Sequence, residues 1–172
     1  SSSSVFLIRI LLYPPKIMNC PINVVLFEPE IPQNTGNIGR TCVAVGAKLW
    51  LVEPLGFDLS EKRLRRAGLD YWQHLDLEVV PDWEQLLQRL PNINPWVFTK
   101  HATQSYVNAK YIQGDTLLFG NESSGLPAHI HESWVHRSLR VPMRDEVRSL
   151  NLATTAGIAI YEAQRQITAK LT

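Results

Sequence analysis

Short apolar runs alternate with helical segments along this chain, and this alternation limits the fold more than any other feature. The runs INVVLF (22–27), KLWLV (48–52) and LEVV (77–80) are rich in β-branched and aromatic residues and have the length of strands. Further strands are predicted over 96–99, 116–119 and 138–141. Apolar strands separated by helices are typical of parallel sheets that helices cover on both faces. The sequence therefore predicts an α/β fold with a mainly parallel sheet.

The predicted helices have recognisable ends. One helix runs from about Asn37 to Val45, where Gly46 can end it, and another follows Asp82, which can cap it. The basic segment EKRLRRA (61–67) predicts a short helix, and 151–166 predicts a final one. One face of that final helix carries the small residues Ala153, Ala156, Gly157 and Ala159. Such a face lets a second helix approach closely, either from this chain or from a second subunit.

The overall composition is that of an ordinary globular protein. The chain has 172 residues, 45% of them hydrophobic, and its net charge of +1 provides no global attraction for nucleic acid. Cys20 and Cys42 suggest no disulfide framework, which favours a reducing, cytoplasmic location. The apolar stretch 5–13 is too short to span a membrane. We interpret 1–20 as an N-terminal extension, with the native start near Met18, and 21–172 as a single domain.

Three polar loops follow predicted strands, at 28–40, 120–127 and 141–151. In parallel α/β sheets, ligands bind outside the carboxyl ends of the strands. We therefore expect the three loops to meet at one site. A non-catalytic, flavodoxin-like module that binds a mononucleotide or FMN would have much the same layout, so the pattern alone leaves that alternative open.

The glycine-rich loop is not a P-loop. Gly120 and Gly125 have P-loop spacing, but Leu126 and Pro127 stand where that motif needs Lys and Ser or Thr. The loop also carries the carboxylate of Glu122, which would repel a triphosphate. The loop is therefore not expected to bind a triphosphate.

Two other groups in this region suggest chemistry that their spacing does not support. Ser123 and Ser124 do not form the G-x-S-x-G motif of a nucleophilic serine. His129, His131 and His136 lack companion ligands and are predicted to lie on the surface. No metal site is predicted.

Taken together, the three loops resemble the motifs of a known family. The segments N-T-G-N-I-G-R (34–40), L-F-G-N-E-S-S-G-L-P (118–127) and V-P-M-R-D-E-V-R-S-L-N-L-A (141–153) are similar to motifs 1, 2 and 3 of the SPOUT (SpoU–TrmD) RNA methyltransferases. E-P-x-G-F (53–57) and K-R-L-R-R-A-G-L-D-Y (62–71) resemble the TrmL/YibK type. Enzymes of that type methylate the ribose 2′-hydroxyl of wobble nucleotide 34, a cytidine or uridine, in tRNA-Leu.

This resemblance implies a cofactor, partners and a special fold. The implied methyl donor is S-adenosylmethionine, the substrate is a tRNA anticodon stem-loop, and the active form is a homodimer with sites at its interface. It also implies a C-terminal trefoil knot, although chains generally avoid knots. A SPOUT enzyme that acts on another tRNA position or on rRNA is the nearest alternative.

The resemblance also assigns roles to individual residues. Arg40 engages the 2′-hydroxyl with help from Asn34, Glu122 and Asn151 fix their neighbours, and Tyr161 shapes the partner's site. The implied cofactor-binding residues are Phe98, Thr99, Gly120, Asn121, Gly125, Val141, Ser149, Leu150 and Asn151. The implied RNA-binding residues are Lys62, Arg63, Arg65, Arg66 and Arg148. A guanidinium holds its proton in ordinary sites, so Arg40 could act as a literal base or could bind phosphate and stabilise the alkoxide.

Overall fold

The computed structural model describes residues 21–60, 62, 64, 66 and 71–169. Within these residues, seven strands form one sheet in which all hydrogen-bonded neighbours are parallel. The strands are Asn23–Phe27 (β1), Lys48–Val52 (β2), Leu77–Val80 (β3), Trp96–Phe98 (β4), Gln104–Ser105 (β5), Thr116–Phe119 (β6) and Ser138–Arg140 (β7). Their order across the sheet is β3-β2-β1-β6-β4-β7-β5. The predicted parallel sheet is confirmed.

The helices of the described residues are Pro32–Val45 (α1), Trp83–Arg89 (α2), Ala128–Ser133 (α3) and Leu152–Ala169 (α4). Lys62, Leu64 and Arg66 are also helical, in agreement with the predicted basic helix. Gly46 ends α1 in the left-handed conformation at φ 74°, as expected. Asp82 caps α2, its carboxylate accepting a hydrogen bond of 2.8 Å from the backbone N–H of Gln85. Among these helices none is both long and apolar enough to cross a bilayer.

The sheet has a separate apolar core on each face. Because side chains alternate along a strand, Val24 and Leu26 of β1 face α1 and α4, while Val25 and Phe27 face α2 and α3. This arrangement confirms helices on both sides of the sheet.

The packing of α4 on α1 changes the interpretation of the small-residue face. Ala156 and Ala159 are fully buried in the core that Ile38, Cys42 and Val45 of α1 also line. These alanines therefore have a partner within the chain, and by themselves they do not indicate a second subunit.

Three features differ from the sequence prediction. Helix α1 begins at Pro32, not Asn37, so most of the expected loop 28–40 is helical. Proline suits the first turn because its missing N–H has no intrahelical partner there. Strand β5 and helix α3 were not predicted, because a two-residue strand and a six-residue helix have too few residues to show periodicity.

The trefoil knot and the single-domain organisation stay predictions. The expected extension 1–20 lies outside the described residues.

Candidate active site

A cavity of about 650 Å³ lies at the carboxyl ends of β1, β4, β6 and β7. All three predicted loops contribute to its wall, with Asn34 from the first, 120–126 from the second and 149–151 from the third. The loop after β4 adds 98–101. The volume suits a cofactor-sized ligand, and the loops meet at one site as expected.

The cavity brings together every residue that was predicted to bind cofactor. One part of its wall is aromatic, since the rings of Phe98 and Phe119 stack with centroids 4.8 Å apart and an interplanar angle of 18°. A flat apolar surface of this kind suits a nucleobase. Direct contact of these residues with a cofactor stays a prediction.

The glycines of the 120–125 loop are needed because the loop closes on itself. The backbone groups of Asn121 and Gly125 exchange two hydrogen bonds, of 3.2 and 3.1 Å. A Cβ added at Gly120 would lie 2.6 Å from the Gly125 Cα and 2.6 Å from the Leu126 nitrogen. Gly125 has φ 67°, which side chains disfavour. The Asn121 side chain holds the turn by accepting hydrogen bonds from the N–H and hydroxyl of Ser124.

The carboxylate of Glu122 binds the residues at the start of α1. It accepts hydrogen bonds from the backbone N–H groups of Glu30 (2.8 Å) and Ile31 (3.0 Å) and from Nδ2 of Asn34 (3.3 Å). Helix N-termini favour negative charge and have N–H groups without intrahelical partners. The acidic residue in the glycine loop therefore fixes α1 against that loop.

Asn34 connects this contact to the last helix. Its Oδ1 accepts a 3.0 Å hydrogen bond from Nδ2 of Asn151. Oδ1 of Asn151 in turn accepts from the backbone N–H groups of Ala153 (2.9 Å) and Thr154 (3.2 Å), which caps α4. Three predicted catalytic residues, Glu122, Asn34 and Asn151, thus form one chain of hydrogen bonds between the loop and two helix starts.

Arg40 and Tyr161 do not line the cavity of their own chain. Arg40 is exposed on α1, with its guanidinium carbon 4.7 Å from the centre of the Tyr71 ring. It follows Asn34 by six residues, which places it ~9 Å further along the helix. Tyr161 is 44% exposed on α4. Within one chain, the structure does not bring these two residues to the other three.

A close approach at Gly39 explains why Tyr71 reaches Arg40. A Cβ added at Gly39 would lie 3.1 Å from side-chain atoms of both Trp72 and Leu75. The absence of a side chain at Gly39 lets the segment that begins with Tyr71 pack against α1. The motifs 34–40 and 62–71 are therefore in direct contact.

The predicted RNA-binding residues divide into described and undescribed positions. Lys62 and Arg66 are exposed, and Leu64 between them is fully buried, so this helical stretch directs its cations outward. Arg148 is exposed on the 141–151 loop. Arg63 and Arg65 lie outside the described residues.

The prediction that His131 lies on the surface is wrong. His131 is partly buried on α3 and lines the cavity, whereas His129 and His136 are exposed. Arg140, at the end of β7, also lines the cavity and was not predicted. Because α3 was not predicted, no sequence pattern indicated the direction of the His131 side chain. The described residues contain no group of three or more His, Cys, Asp or Glu side chains that could hold a metal ion.

The chain is similar to known methyltransferases in sequence and structure. A sequence profile of the SpoU rRNA Methylase family matches residues 21–161. A tRNA (cytidine(34)-2'-O)-methyltransferase from Saccharophagus degradans is 43% identical over 146 residues, which cover 84% of this chain and 95% of that protein.

Solved structures show the same likeness. A structure described in terms of the 2-OH methylation of C/U34 on tRNA is 45% identical, with a TM-score of 0.81, and the match covers 88% of this chain and 97% of that one. An AdoMet-bound rRNA methyltransferase from Sinorhizobium meliloti is 26% identical, with a TM-score of 0.76, and the match covers 88% of this chain and 58% of that one. The observed arrangement of sheet and helices is that of the SPOUT methyltransferases.

Proposed function

Because this chain belongs to the SpoU methylase family, we propose that it transfers a methyl group from S-adenosylmethionine to the ribose 2′-hydroxyl of nucleotide 34 in a tRNA. The family uses S-adenosylmethionine. The observation that carries the proposal is the cavity, in which motifs 1, 2 and 3 meet at the carboxyl ends of four strands. The finer assignment is cytidine or uridine 34 of tRNA-Leu, supported by the names of the relatives for the nucleotide and by the TrmL-type motifs for the tRNA.

Family membership favours this proposal over a flavodoxin-like FMN module. The glycine loop also differs from a phosphate-binding loop, because Asn121 and Gly125 bond to each other through their backbones and Glu122 places a carboxylate in the loop. The alternative of an rRNA target has less support, because the Saccharophagus degradans relative, at 43% identity, is named for nucleotide 34 of tRNA.

The proposed chemistry depends on alignment and charge. S-Adenosylmethionine supplies an activated methyl group on a sulfonium centre, and its leaving group is a neutral thioether. The cavity residues orient the cofactor, and the hydrogen bonds of Glu122, Asn34 and Asn151 hold the loop and both helix starts in fixed positions. Arg40 binds the RNA beside the target ribose and stabilises the developing alkoxide. A guanidinium keeps its proton in ordinary sites, so the proton of the hydroxyl passes to water or to the adjoining phosphate.

We also propose a homodimer, because Arg40 and Tyr161 lie outside the cavity of their own chain. Large exposed apolar side chains lie on the elements around that cavity, namely Ile31 (41% exposed), Val147 (46%) and Tyr161 (44%). A second subunit that packs on these residues would bury them and would bring Arg40 and Tyr161 of one chain towards the cavity of the other.

The proposed reaction is tested with tritiated S-adenosylmethionine and tRNA-Leu transcripts. Transcripts with cytidine or uridine at position 34 should accept one methyl group, which mass spectrometry of nuclease fragments should place on the ribose of nucleotide 34. A matched transcript with a 2′-deoxy nucleotide at that position should accept none. Methyl transfer to the deoxy transcript, or to rRNA fragments in preference to tRNA, would contradict the proposal.

A further inference from the structure

Arg140 points towards α3. Leu139, its neighbour in β7, belongs to the core that α1 and α4 cover. Side chains alternate along a strand, so Ser138 and Arg140 project from the opposite face. The Ser138 hydroxyl confirms this direction by donating a 3.2 Å hydrogen bond to the carbonyl of Trp134, which directly follows α3. His131 lies on α3, and both Arg140 and His131 line the cavity.

Both side chains carry a buried nitrogen that has no hydrogen-bond partner among the described residues. These atoms are Nε of Arg140 and Nε2 of His131. Buried polar groups in native proteins are almost always paired, because an unpaired one loses its hydrogen bonds to water without compensation. Two such atoms at one cavity indicate that a bound ligand forms their missing hydrogen bonds.

The charges of the cavity wall indicate what kind of group that ligand presents. The basic side chains among the lining residues are Lys100, His101, His131 and Arg140. Glu122 is the one acidic residue among them, and three N–H donors already occupy its carboxylate. This balance favours an anionic group, which a guanidinium N–H and an imidazole N–H bind through charge-assisted hydrogen bonds.

We propose that Arg140 and His131 bind the carboxylate of the methionine portion of S-adenosylmethionine. The inference rests on the proposed function, because that carboxylate is the cofactor's one anionic group. Nε–H of Arg140 and Nε2–H of His131 donate to the carboxylate oxygens and fix the amino acid end of the cofactor. The pair thereby distinguishes the complete cofactor from adenosine derivatives that lack the amino acid.

The test compares two ligands that differ in this group. S-Adenosylhomocysteine carries the carboxylate, whereas 5′-methylthioadenosine has the same adenosine and thioether without it. Titration calorimetry should show that Arg140→Gln and His131→Gln each weaken S-adenosylhomocysteine binding by about tenfold or more, the range for a hydrogen bond to a charged group. Binding of 5′-methylthioadenosine should be unchanged, which also shows that the variant cavity is folded. His129→Gln and Arg144→Gln, which alter exposed residues nearby, should leave both affinities as in the parent.

Other outcomes overturn the inference in distinguishable ways. If the variants bind both ligands more weakly to the same extent, the two residues support the cavity wall, and water forms the hydrogen bonds to their nitrogens. If both bind normally but tRNA binds less tightly, the pair contacts an RNA phosphate. If the parent protein itself binds neither ligand, the proposed methyltransferase function fails as well.

Discussion

The guanidinium carbon of Arg40 lies 4.7 Å from the centre of the Tyr71 ring, on a side of α1 that does not face the cavity. Asn34 on the same helix lines that cavity. Six residues separate the two positions, which corresponds to roughly 120° around the helix axis. Under the proposed function, helix α1 presents Asn34 to the cofactor and Arg40, held by an aromatic ring, to the RNA. Cofactor binding and catalysis should be separable by mutation.

The first prediction concerns Arg40. Arg40→Ala should reduce methyl transfer by at least about a hundredfold, the scale of losing one group that stabilises transition-state charge. Because Arg40 does not line the cavity of its own chain and its proposed ligand is the RNA, the affinity for S-adenosylhomocysteine should not change. Tritium transfer and calorimetry on the same preparation measure the two effects. Tyr71→Leu is the matched control, since it removes only the aromatic contact and should have a much smaller effect. Near-normal turnover of Arg40→Ala would remove Arg40 from the mechanism.

The second prediction concerns Glu122. In Glu122→Gln the side chain keeps one acceptor oxygen for three donors and places an NH₂ group near N–H groups of the α1 start. The free energy of unfolding should fall by about 1–3 kcal/mol, as measured by urea denaturation. Cofactor affinity should fall too, because the same loop lines the cavity. Glu132→Gln on exposed α3 surface is the control. Equal stability of the two variants would show that the Glu122 contacts contribute little.

The third prediction tests the dimer at a position where the monomer tolerates change. A Cβ added at Gly157 would meet no atom of another element within 4 Å, whereas Ala156 is fully buried. Gly157→Arg should thus leave the fold intact but place a charge on the exposed face that includes Tyr161, one helical turn away. Sedimentation should report monomers and activity should be lost, while circular dichroism stays unchanged. Gln85→Arg on α2 should remain dimeric. A dimeric, active Gly157→Arg would place the interface elsewhere.

The fourth prediction concerns RNA binding. The net charge of +1 gives little long-range attraction, so affinity for tRNA must come from local cations such as Lys62 and Arg66. Each phosphate contact contributes a salt slope of about −0.7 to −0.9. Replacing both residues by Ala should weaken binding of an anticodon stem-loop and flatten the salt dependence by up to about two contacts. Lys110→Ala serves as the control. Unchanged binding across a salt titration would mean that these cations are simply solvated.

The fifth prediction is a pH dependence at Glu162. The hydrogen bonds that Arg165 donates to its carboxylate, at 2.8 and 3.0 Å, lower the pKa of Glu162 below its ordinary value of 4.5. A carboxyl whose pKa is lower in the folded state stabilises that state at pH values above its pKa in the unfolded state. This stabilisation is lost as the pH falls through the pKa of the folded state. Glu162→Gln should therefore melt below the parent at pH 7, and the difference should shrink below a pH of about 4.5. A difference that does not depend on pH would assign the effect to packing.

Much of the fold was predictable because local residues determine it. The apolar runs of β2, β3 and β6 gave the bounds of those strands, and Gly46 and Asp82 act within their own helices. The start of α1 was missed for a physical reason. The residues that lead into the helix, Glu30 and Ile31, donate their backbone N–H groups to Glu122, which is 91 residues away from Ile31 in sequence. A contact with so distant a residue leaves no signal in the sequence near the helix.

The site, too, was predictable in part, and the rest depends on structure that the local sequence does not determine. Loops at the ends of parallel strands were expected to converge, and they do, because the sheet direction alone requires it. His131 and Arg140 could not be placed in the cavity from the sequence. The orientation of His131 depends on the unpredicted α3, and a single arginine at the end of a short strand has no pattern around it.

The closed turn between Asn121 and Gly125 has a thermodynamic consequence. Its two backbone hydrogen bonds and the Asn121 side chain hold it in shape, so ligand binding does not have to order this part of the cavity wall. The conformational entropy of the loop is lost once, during folding, and not each time a ligand binds. An enzyme that must release its spent cofactor after every turnover can then bind it through contacts weak enough to break quickly.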